Sequence, residues 1–397
     1  MSFRKIREFV DDVSTWNPVR DSEDDLISYI DLSSVDQNTK NITSKEQIKA
    51  VDAPSRARQL VRSGDILVST VRPNLNGVAK VPPALDGATA STGFCVLRPK
   101  VSEIDGSFLF QWVKASSFIS EMTRVSTGAS YPAVSDRIVL DSLIPAPSLI
   151  EQKRIGAILD RAEALRAKRR QALAKLDALT QSLFLDLFGD PRTNLKRWPI
   201  RAVADYVREF QGGKSLQPES DENIVTRNRV LKISAVTGMK FLSHESKPVP
   251  DSYLPPSEHF TKPGDLLFSR ANTTELVGAV AYVDHTPPNV LLPDKLWRFV
   301  WQEPATIEPL FVWALFQTEA VRQEVGRRAT GTSDSMKNIS QQKVFGIRTI
   351  LPPIEVQREF ARQITAVEKL KAAHRASLAK LDALFASLQH RAFSGQL

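Results

Sequence analysis

Side chains that can hydrogen-bond the edges of nucleic-acid bases occur at matched positions in the two halves of the chain. Arginine donates to guanine, whereas asparagine and glutamine pair with adenine. The clearest matched pair is residues 70–74 and 269–273, each of which follows a predicted β-strand. The side chains of interest there are Arg72, Asn74, Arg270 and Asn272. We interpret them as candidate base-reading residues; for each, the alternative is a solvated turn or a phosphate contact that carries no sequence information.

Two further sets of segments could carry the same chemistry. Residues 124–131 match residues 327–337, where Gly128 and Gly331 permit close backbone approach. Residues 211–214 have no clear counterpart in the first half of the chain. The candidate nucleic-acid-binding side chains in these segments are Arg124, Ser130, Tyr131, Arg327, Ser333 and Lys337, together with Gln211 and Lys214.

Motifs for catalysis or metal binding are absent from the sequence. No glycine-rich loop of the G-x-G-x-x-G kind occurs, and residues 213–215 fail as a phosphate-binding loop because Arg208 stands where the first glycine is required. The Pro-Pro pairs lack the preceding Asn or Asp of an adenine methyltransferase site. Five scattered histidines and one cysteine cannot form a usual zinc cluster. We therefore expect neither a catalytic site nor a metal site.

The chain is a long tandem duplication. The segment LAKLDALTQSL at 173–183 returns as LAKLDALFASL at 378–388, and SGDILVST at 63–70 matches PGDLLFSR at 263–270. The offset drifts from about 205 to about 200 residues, as loop insertions would produce. Each copy has a mixed region of about 150 residues, with short β-type runs between turn residues, followed by about forty residues without proline.

The proline-free stretches predict two long helices, each about 60 Å long at roughly 1.5 Å per residue. Ser148 and Glu151 form a capping box at the first helix start, and two prolines precede the second. Apolar residues in steps of three and four predict a coiled-coil seam, in which Arg169 and His374 hold equivalent polar positions. The predicted seam comprises Ile155, Ile158, Ala162, Leu165, Arg169, Ala172, Leu176, Leu179 and Leu183, and Phe360, Ile364, Val367, Leu370, His374, Ser377, Leu381, Leu384 and Leu388.

The predicted fold is mixed, α/β (α+β), with two domains separated by two long helices that pair as an antiparallel coiled coil. The predicted division is residues 1–147, a helix at 148–190, residues 191–352 and a second helix at 353–397. Antiparallel pairing would hold the two domains apart. The alternative is that each helix binds a helix of another protein.

Composition favours an acidic partner. The net charge is +8, with an isoelectric point near 9.5, which suits nucleic acid but also membrane surfaces and acidic proteins. No apolar stretch is long enough to span a membrane. The single cysteine, Cys95, lies in an apolar run and is expected in the core; a chain without disulfides fits a reducing cytoplasm.

The starts and ends of the two helices carry a family resemblance. The starts are IPAPSLIEQKRIGAILD (144–160) and ILPPIEVQREFARQI (350–364), and the ends are SLFLDLFGDP (182–191) and SLQHRAFSGQL (387–397). At these segments the sequence resembles the specificity subunits of type I restriction-modification systems, and the resemblance covers essentially the whole chain. It departs from the family pattern at residues 16–18, which lack the glycine-bearing loop of 211–214, and at 145–147, where Pro-Ala-Pro replaces Pro-Pro.

The resemblance implies a non-catalytic phage-defence subunit whose two domains are target-recognition domains for split double-stranded DNA. Because the two recognition regions differ in sequence, the target should be asymmetric. The two helices would act as a ruler and dock methyltransferase subunits, two in number, alongside restriction/translocase subunits. The complex would use S-adenosylmethionine, ATP and Mg²⁺, none of them bound by this chain.

Two other interpretations stay open. One is a scaffold whose duplicated domains bind other proteins and no DNA; the matched Arg- and Asn-bearing segments argue against it. The other is a specificity subunit that serves methylation without a restriction partner.

Overall fold

The long helices and the mixed regions appear in two units of the computed structural model. It describes residues 2–22, 25–43, 46–214, 216, 224–333 and 336–397, with only the backbone of Thr332 and Ser333. The first unit comprises Met1–Ala172 and His374–Leu397, and the second comprises Leu173–Ala373. Each unit therefore contains one mixed region and a part of both long helices. The division predicted at residues 147, 190 and 352 stays a prediction.

In each copy of the repeat, the last helix is 40 residues long. In the described part of the chain the α-helices are α1 (Pro18–Asp21), α2 (Gly106–Val113), α3 (Ser116–Val125), α4 (Asp136–Asp141), α5 (Leu149–Phe188), α6 (Ser234–Thr237), α7 (Pro309–Gln317), α8 (Glu319–Arg328), α9 (Gln341–Phe345) and α10 (Ile354–Phe393). No helix among the described residues is long and apolar enough to cross a membrane.

Ten short strands form three sheets in the first unit. They are β1 (Phe3–Lys5), β2 (Val10–Asp11), β3 (Leu26–Ile30), β4 (Glu46–Lys49), β5 (Ala57–Leu60), β6 (Ile66–Ser69), β7 (Val78–Lys80), β8 (Thr89–Ser91), β9 (Phe94–Pro99) and β10 (Leu143–Pro145), counting the described residues. The sheets have the orders β1-β10, β2-β9-β6-β7 and β4-β3-β8-β5. All pairs are antiparallel except β3 with β8.

The second unit repeats this plan. Its strands are β11 (Ile200–Ala202), β12 (Val207–Gly212), β13 (Arg229–Leu231), β14 (Ser246–Pro248), β15 (Leu266–Ser269), β16 (Ala271–Asn272), β17 (Val280–Tyr282), β18 (Val290–Leu291), β19 (Leu296–Trp301), β20 (Thr330–Ser333), β21 (Met336–Asn338) and β22 (Arg348–Ile350). The order β12-β19-β15-β17 matches β2-β9-β6-β7, and β14-β13-β18 matches β4-β3-β8, down to the parallel pair β13 with β18. The tandem duplication read from the sequence is thus a duplication of topology. An additional sheet, β16-β21-β20, occurs in the second unit.

The sheet β2-β9-β6-β7 is buried on both faces. Val68 and Cys95 pack against the helix α2, whereas Leu67 and Val96 pack against residues of the second sheet such as Ile30. Burial of both faces explains why these strands read as continuous apolar runs instead of alternating patterns. Cys95 lies in this core, as expected, and its burial raises the pKa of its thiol.

The two long helices pair antiparallel, as predicted. In the first unit Arg166 of α5 is 2.6 Å from Asp382 of α10, and Arg154 donates to the Leu397 carbonyl. In the second unit Lys371 of α10 is 3.0 Å from Asp177 of α5. Glu163 completes the first ion cluster and Glu368 the second. Every member of one cluster lies 205 residues from its counterpart in the other, so the duplication repeats the polar contacts too.

The predicted seam is wrong at four leucines: Leu165, Leu179, Leu370 and Leu384 are exposed. At the central positions the neighbouring cations face the partner helix instead, Arg166 and Lys371, and Lys371 is only 2% exposed. An α-helix has 3.6 residues per turn, so a strict seven-residue pattern drifts by about 20° per heptad away from the contact line. The ion clusters hold the helices in that rotated position.

Each long helix is locked at its start by a buried glutamine. The Gln152 side chain accepts a hydrogen bond from the Asp105 backbone N–H at 3.0 Å and donates to the Pro147 carbonyl at 3.0 Å. Gln357 accepts from the Glu308 backbone N–H at 3.0 Å and donates to the Pro352 carbonyl at 2.8 Å. The glutamine of each resembling motif thus ties the first turn of α5 or α10 to the start of α2 or α7.

Candidate nucleic-acid interface

Two of the predicted segments meet in the first unit. Residues 70–74 follow β6, and residues 126–134, which continue the predicted segment 124–131 by three residues, follow α3. Val71 bridges Ala133, the Arg72 N–H donates to the Pro132 carbonyl at 2.7 Å, and the Val134 N–H donates to the Thr70 carbonyl at 2.9 Å. The sequence predicted each segment separately; the fold joins them into one cluster.

Arg72 and Tyr131 form the exposed face of this first-unit cluster. The Arg72 guanidinium lies 4.6 Å from the centre of the Tyr131 ring, a cation–π contact, and Tyr131 is 68% exposed. Arg72 has a left-handed backbone with φ of 50°, which is rare for a non-glycine residue and occurs often at functional sites. Gly128 is required for the turn, because a Cβ there would lie 2.8 Å from the Tyr131 carbonyl oxygen. Asn74 and Ser130 are exposed nearby in sequence.

Two polar residues beside Arg72 and Tyr131, Ser33 and Gln37, were not predicted from the sequence. A surface depression of about 250 Å³ next to these two side chains is also lined by Ser33 and Gln37. They lie far away in the sequence and have no motif that could have pointed to them. Lys40, which donates to the Asn76 carbonyl at 2.5 Å, is a further cation of this region. Burial, together with repulsion from Lys114, lowers the pKa of Lys40 to about 8.

The matching segments also meet in the second unit, with a different structure. The prediction of a loop over 327–337 is wrong: β20 (Thr330–Ser333) pairs antiparallel with β21 (Met336–Asn338), and β21 also pairs with β16. Asn272 is opposite Lys337 in that ladder, and the Lys337 ammonium donates to the Gly331 carbonyl at 3.0 Å. The positions of these side chains therefore follow from backbone pairing between strands, which the residue types alone did not predict. The Ser333 side chain lies outside the described part of the chain.

Arg270 is held more firmly than Arg72. Its Nε donates to the Asp294 carbonyl at 2.9 Å, its Nη2 is 3.4 Å from the Asp294 carboxylate, and its guanidinium lies 5.8 Å from the Trp297 ring centre. The Asn272 side chain donates weakly to the Thr237 hydroxyl at 3.4 Å and accepts from the Thr273 N–H at 2.9 Å. These contacts fix the direction of both side chains.

Residues 211–214 approach this second-unit cluster through the segment 292–297. Gly213 donates to the Pro293 carbonyl at 3.0 Å, and a Cβ on Gly213 would overlap the Leu292 carbonyl. Gln211 accepts from the Arg298 guanidinium at 3.0 Å, so it supports another side chain. Lys214 is exposed, with its ammonium 5.5 Å from the Tyr253 ring centre.

Arg124 and Arg327 lie on helices instead of loops. Arg124 is in the last turn of α3 and pairs with Glu121 at 2.7 Å, and Arg327 is in the last turn of α8 and pairs with Glu324. Both are exposed, and both pairs span three residues on one helix. The sequence analysis did not predict these two short helices, which end at Val125 and Arg328.

The strands that precede the clusters are fixed by equivalent ion pairs. Arg98 of β9 is 2.7 Å from Asp65, at the start of β6, and Arg298 of β19 is 2.9 Å from Asp265, at the start of β15. The Asp65 hydrogen bonds raise the pKa of Arg98. Burial raises the pKa of Asp265, and the Arg298 guanidinium opposes that effect. These pairs set the position at which each strand delivers residues 70–74 or 269–273.

The chain thus contains two copies of one mixed fold, each with a cluster of hydrogen-bonding side chains after an equivalent strand, exposed in the first unit and half-buried in the second. A family model described as type I restriction modification DNA specificity domain matches residues 32–176. The EcoKI specificity subunit of Escherichia coli K12 is 26% identical over 329 residues, covering 77% of this chain and 68% of that subunit. The MjaVIII specificity subunit of Methanocaldococcus jannaschii is 23% identical over 292 residues, covering 69% and 66%.

Solved structures agree. A chain from a structure concerning complex assembly and conformational transition of the type I R-M system is 25% identical, covers 100% of this chain and 98% of that one, and gives a TM-score of 0.59. The S subunit from M. genitalium shares the fold at 12% identity, covering 99% and 96%, with a TM-score of 0.60. In sequence and in fold the chain is similar to the specificity subunits of type I restriction-modification systems.

Proposed function

We propose that this subunit binds an asymmetric, bipartite double-stranded DNA target and reads one half with the recognition domain of each unit. The observation that carries the proposal is a cluster of hydrogen-bonding side chains in each unit after the equivalent strands β6 and β15, exposed in the first unit and half-buried in the second. Equivalent places in a duplicated fold suit two halves of one target. Different side chains at those places, Arg72 with Tyr131 and Arg270 with Lys337, suit two half-sites of different sequence.

The side chains divide into those suited to bases and those suited to phosphates. Arg72 and Asn74 are exposed and carry the donor patterns that recognise guanine and adenine in the major groove. Arg270 is preorganised by Asp294, so less side-chain entropy would be lost on binding. Lys214 and the net charge of +8 favour contact with the phosphate backbone. Arg124 and Arg327, paired with glutamates on helix surfaces, suit phosphate contact better than base readout.

The exposed leucines of the long helices suit docking of two methyltransferase subunits. Leu165 and Leu384 are 47% and 50% exposed in the first unit, and Leu370 and Leu179 are 53% and 40% exposed in the second. Leu165 and Leu370 are equivalent in the repeat, as are Leu179 and Leu384. Two exposed leucines at equivalent positions in each unit match one copy of the same partner per unit, because apolar side chains on a helix surface favour packing against a partner's helix.

In this proposal the chain positions chemistry that other subunits perform. Methyltransferase and restriction/translocase subunits would use S-adenosylmethionine, ATP and Mg²⁺, and this chain would bind none of them and have no catalytic site. The complex would act in the cytoplasm.

The test is a map of modified bases in genomic DNA from cells that express this chain with its cognate methyltransferase subunit. We expect adenine methylation at one asymmetric split motif. Exchanging residues 195–345 for those of a relative should change one half of the motif and leave the other half and the spacer intact. The matched control is the exchange of residues 1–140, which should change the other half.

Methylation at one continuous motif, or an exchange that changes both halves, would contradict bipartite readout. An absence of methylation together with weak, salt-insensitive DNA binding by the assembled complex would favour the scaffold interpretation. DNA binding through phosphates loses affinity steeply as salt rises, so the salt dependence separates the two.

A further inference from the structure

A cavity of about 480 Å³ lies in the second unit, between the last turns of α5 and the junction of α7 with α8. Phe184, Leu185 and Trp313 contribute an apolar wall, and Thr180 lies beside them. Asp190, Arg192 and Glu319 are on the polar side. The cavity therefore has an apolar side and a polar side, an arrangement that can receive a large side chain together with a charged group.

The equivalent helices of the first unit pack in the same way, but a phenylalanine of the first unit takes the place of Thr180. Phe393 meets Phe108 edge-to-face with ring centres 5.6 Å apart, as the equivalent Phe188 meets Phe311 at 4.8 Å. In the repeat, which has no gap here, Phe385 stands where the second unit has Thr180. Phe385 is buried in the core, 8% exposed, and lies under the Arg166 guanidinium, 4.3 Å from it. In the repeat Arg166 corresponds to Lys371, which already contacts Thr180, so the group that the second unit lacks at this place is the aromatic ring.

The charged side chains around the cavity are a separate observation, and carboxylates outnumber the cations among its lining residues. Arg192 bridges Asp190 at 2.8 Å and Glu319 at 2.9 Å, so two carboxylates share one guanidinium. Asp177 adds a carboxylate on the α5 side, where it pairs with Lys371 and Lys240. The excess of negative charge near Arg192 favours a cation beside the entering ring.

We infer that this cavity receives an aromatic side chain, followed by a basic residue, from the methyltransferase subunit that docks on the second unit. The inference rests on the proposed function, which places one such subunit on each unit. It adds a specific anchor that the second unit has and the first unit fills with Phe385. A large side chain in a water-excluding pocket is the usual source of most of the binding energy at an interface.

The experiment compares four variants of the full chain, each co-expressed with the cognate methyltransferase subunit. T180F supplies in cis the ring that the cavity would receive, and T180V is its control, because valine removes only the hydroxyl that contacts Lys371. L185K replaces an exposed apolar wall residue with a cation, and H390K is its control at the equivalent position of the first unit. Native mass spectrometry and titration report the number and affinity of bound methyltransferase subunits.

We expect the wild type, T180V and H390K to bind two methyltransferase subunits with similar affinity. T180F and L185K should weaken one of the two by at least about tenfold and leave the other unchanged. Wild-type affinity for both subunits in T180F and L185K overturns the inference while leaving the proposed function intact. If T180F does not fold, L185K decides. A wild-type chain that binds no methyltransferase subunit contradicts the proposed function itself.

Discussion

The Arg169 guanidinium lies 3.1 Å from Nδ1 of His374, although the two residues hold the same position in the two copies of the repeat. Each is at the middle of its 40-residue helix. In an antiparallel pair of equal helices, equivalent residues meet only at the midpoint. The contact therefore shows that α5 and α10 meet at their midpoints without an axial offset.

Replacing this central polar pair by leucine should stabilise the helix pair and loosen its register. Polar residues in a seam specify register at a cost in stability, so we expect R169L/H374L to unfold at a higher temperature than the wild type. Crosslinking between cysteines introduced along α5 and α10 should then detect more than one register. A lower unfolding temperature together with a single register would contradict this role.

Removing only one partner of the ion pair between Asp65 and Arg98 should destabilise the fold. Asp65 is 1% exposed, and R98M would leave its carboxylate buried without its cation, at a cost of about 3–5 kcal/mol. R98M/D65N should recover much of that loss, because the amide oxygen still accepts from the Arg62 N–H. Urea unfolding measures the free energy of unfolding of the wild type, R98M and R98M/D65N. Equal stability of R98M and the double variant would show that the buried charge is not the cause.

The buried glutamines at the helix starts should matter more than exposed glutamines. Q152L removes the side-chain partner of the Asp105 N–H and of the Pro147 carbonyl, and leaving such groups unpaired costs about 1–3 kcal/mol each. The matched control is Q171L, at an exposed position of the same helix, which we expect to change stability by about 0.5 kcal/mol at most. Equal losses of unfolding free energy in Q152L and Q171L would show that the hydrogen bonds of Gln152 do not stabilise the helix start.

Replacing Arg72 should change sequence recognition in one half of the DNA target. We expect R72A to reduce methylation at the wild-type motif by about one to two orders of magnitude, since loss of an arginine that reads a base costs about 1–3 kcal/mol. Relaxed sequence preference should appear in the first half-site alone, as measured by the modified-base map. R137A is the control, since Arg137 is an exposed arginine of the same unit outside both clusters. Uniform weakening without relaxed preference would reassign Arg72 to phosphate contact.

Lys40 should give the stability a specific pH dependence. Its pKa falls from an ordinary value of 10.5 to about 8 on folding, so between these values the unfolded chain binds more protons than the folded chain. The contribution of Lys40 to the free energy of unfolding therefore rises as pH increases from about 8, and it is most unfavourable below pH 8.

The variant K40M lacks this titration. We expect the free energy of unfolding of K40M minus that of the wild type to fall by about 1 kcal/mol between pH 8 and pH 10, a magnitude reduced for partial exposure of the ammonium. Groups that titrate in both proteins cancel in this difference. A difference that does not change with pH would mean that Lys40 keeps its ordinary pKa in the folded chain.

The local parts of the candidate site were predictable, but their assembly was not. The repeat identified residues 70–74 and 269–273 as equivalent, and both follow equivalent strands. Ser33 and Gln37 escaped prediction because only the packing of the first unit brings them beside Arg72. The strands β20 and β21 escaped it because strand pairing depends on a distant partner, β16, which a local pattern does not contain.

The sequence alone determined the duplication and the two long helices, since these follow from periodicity, proline positions and a repeat that is visible in the residues themselves. It predicted antiparallel pairing but left open the alternative that each helix binds another protein, and the ion pairs and hydrogen bonds between α5 and α10 decided for pairing. Only the tertiary structure decided that Arg166 and Lys371 face the partner helix while Leu165 and Leu370 are exposed. It also decided that Thr180 leaves a cavity where Phe385 fills the core. The reason is physical: periodicity defines a face to within about one residue, and the side chains of the neighbouring helices select which residue on that face is buried.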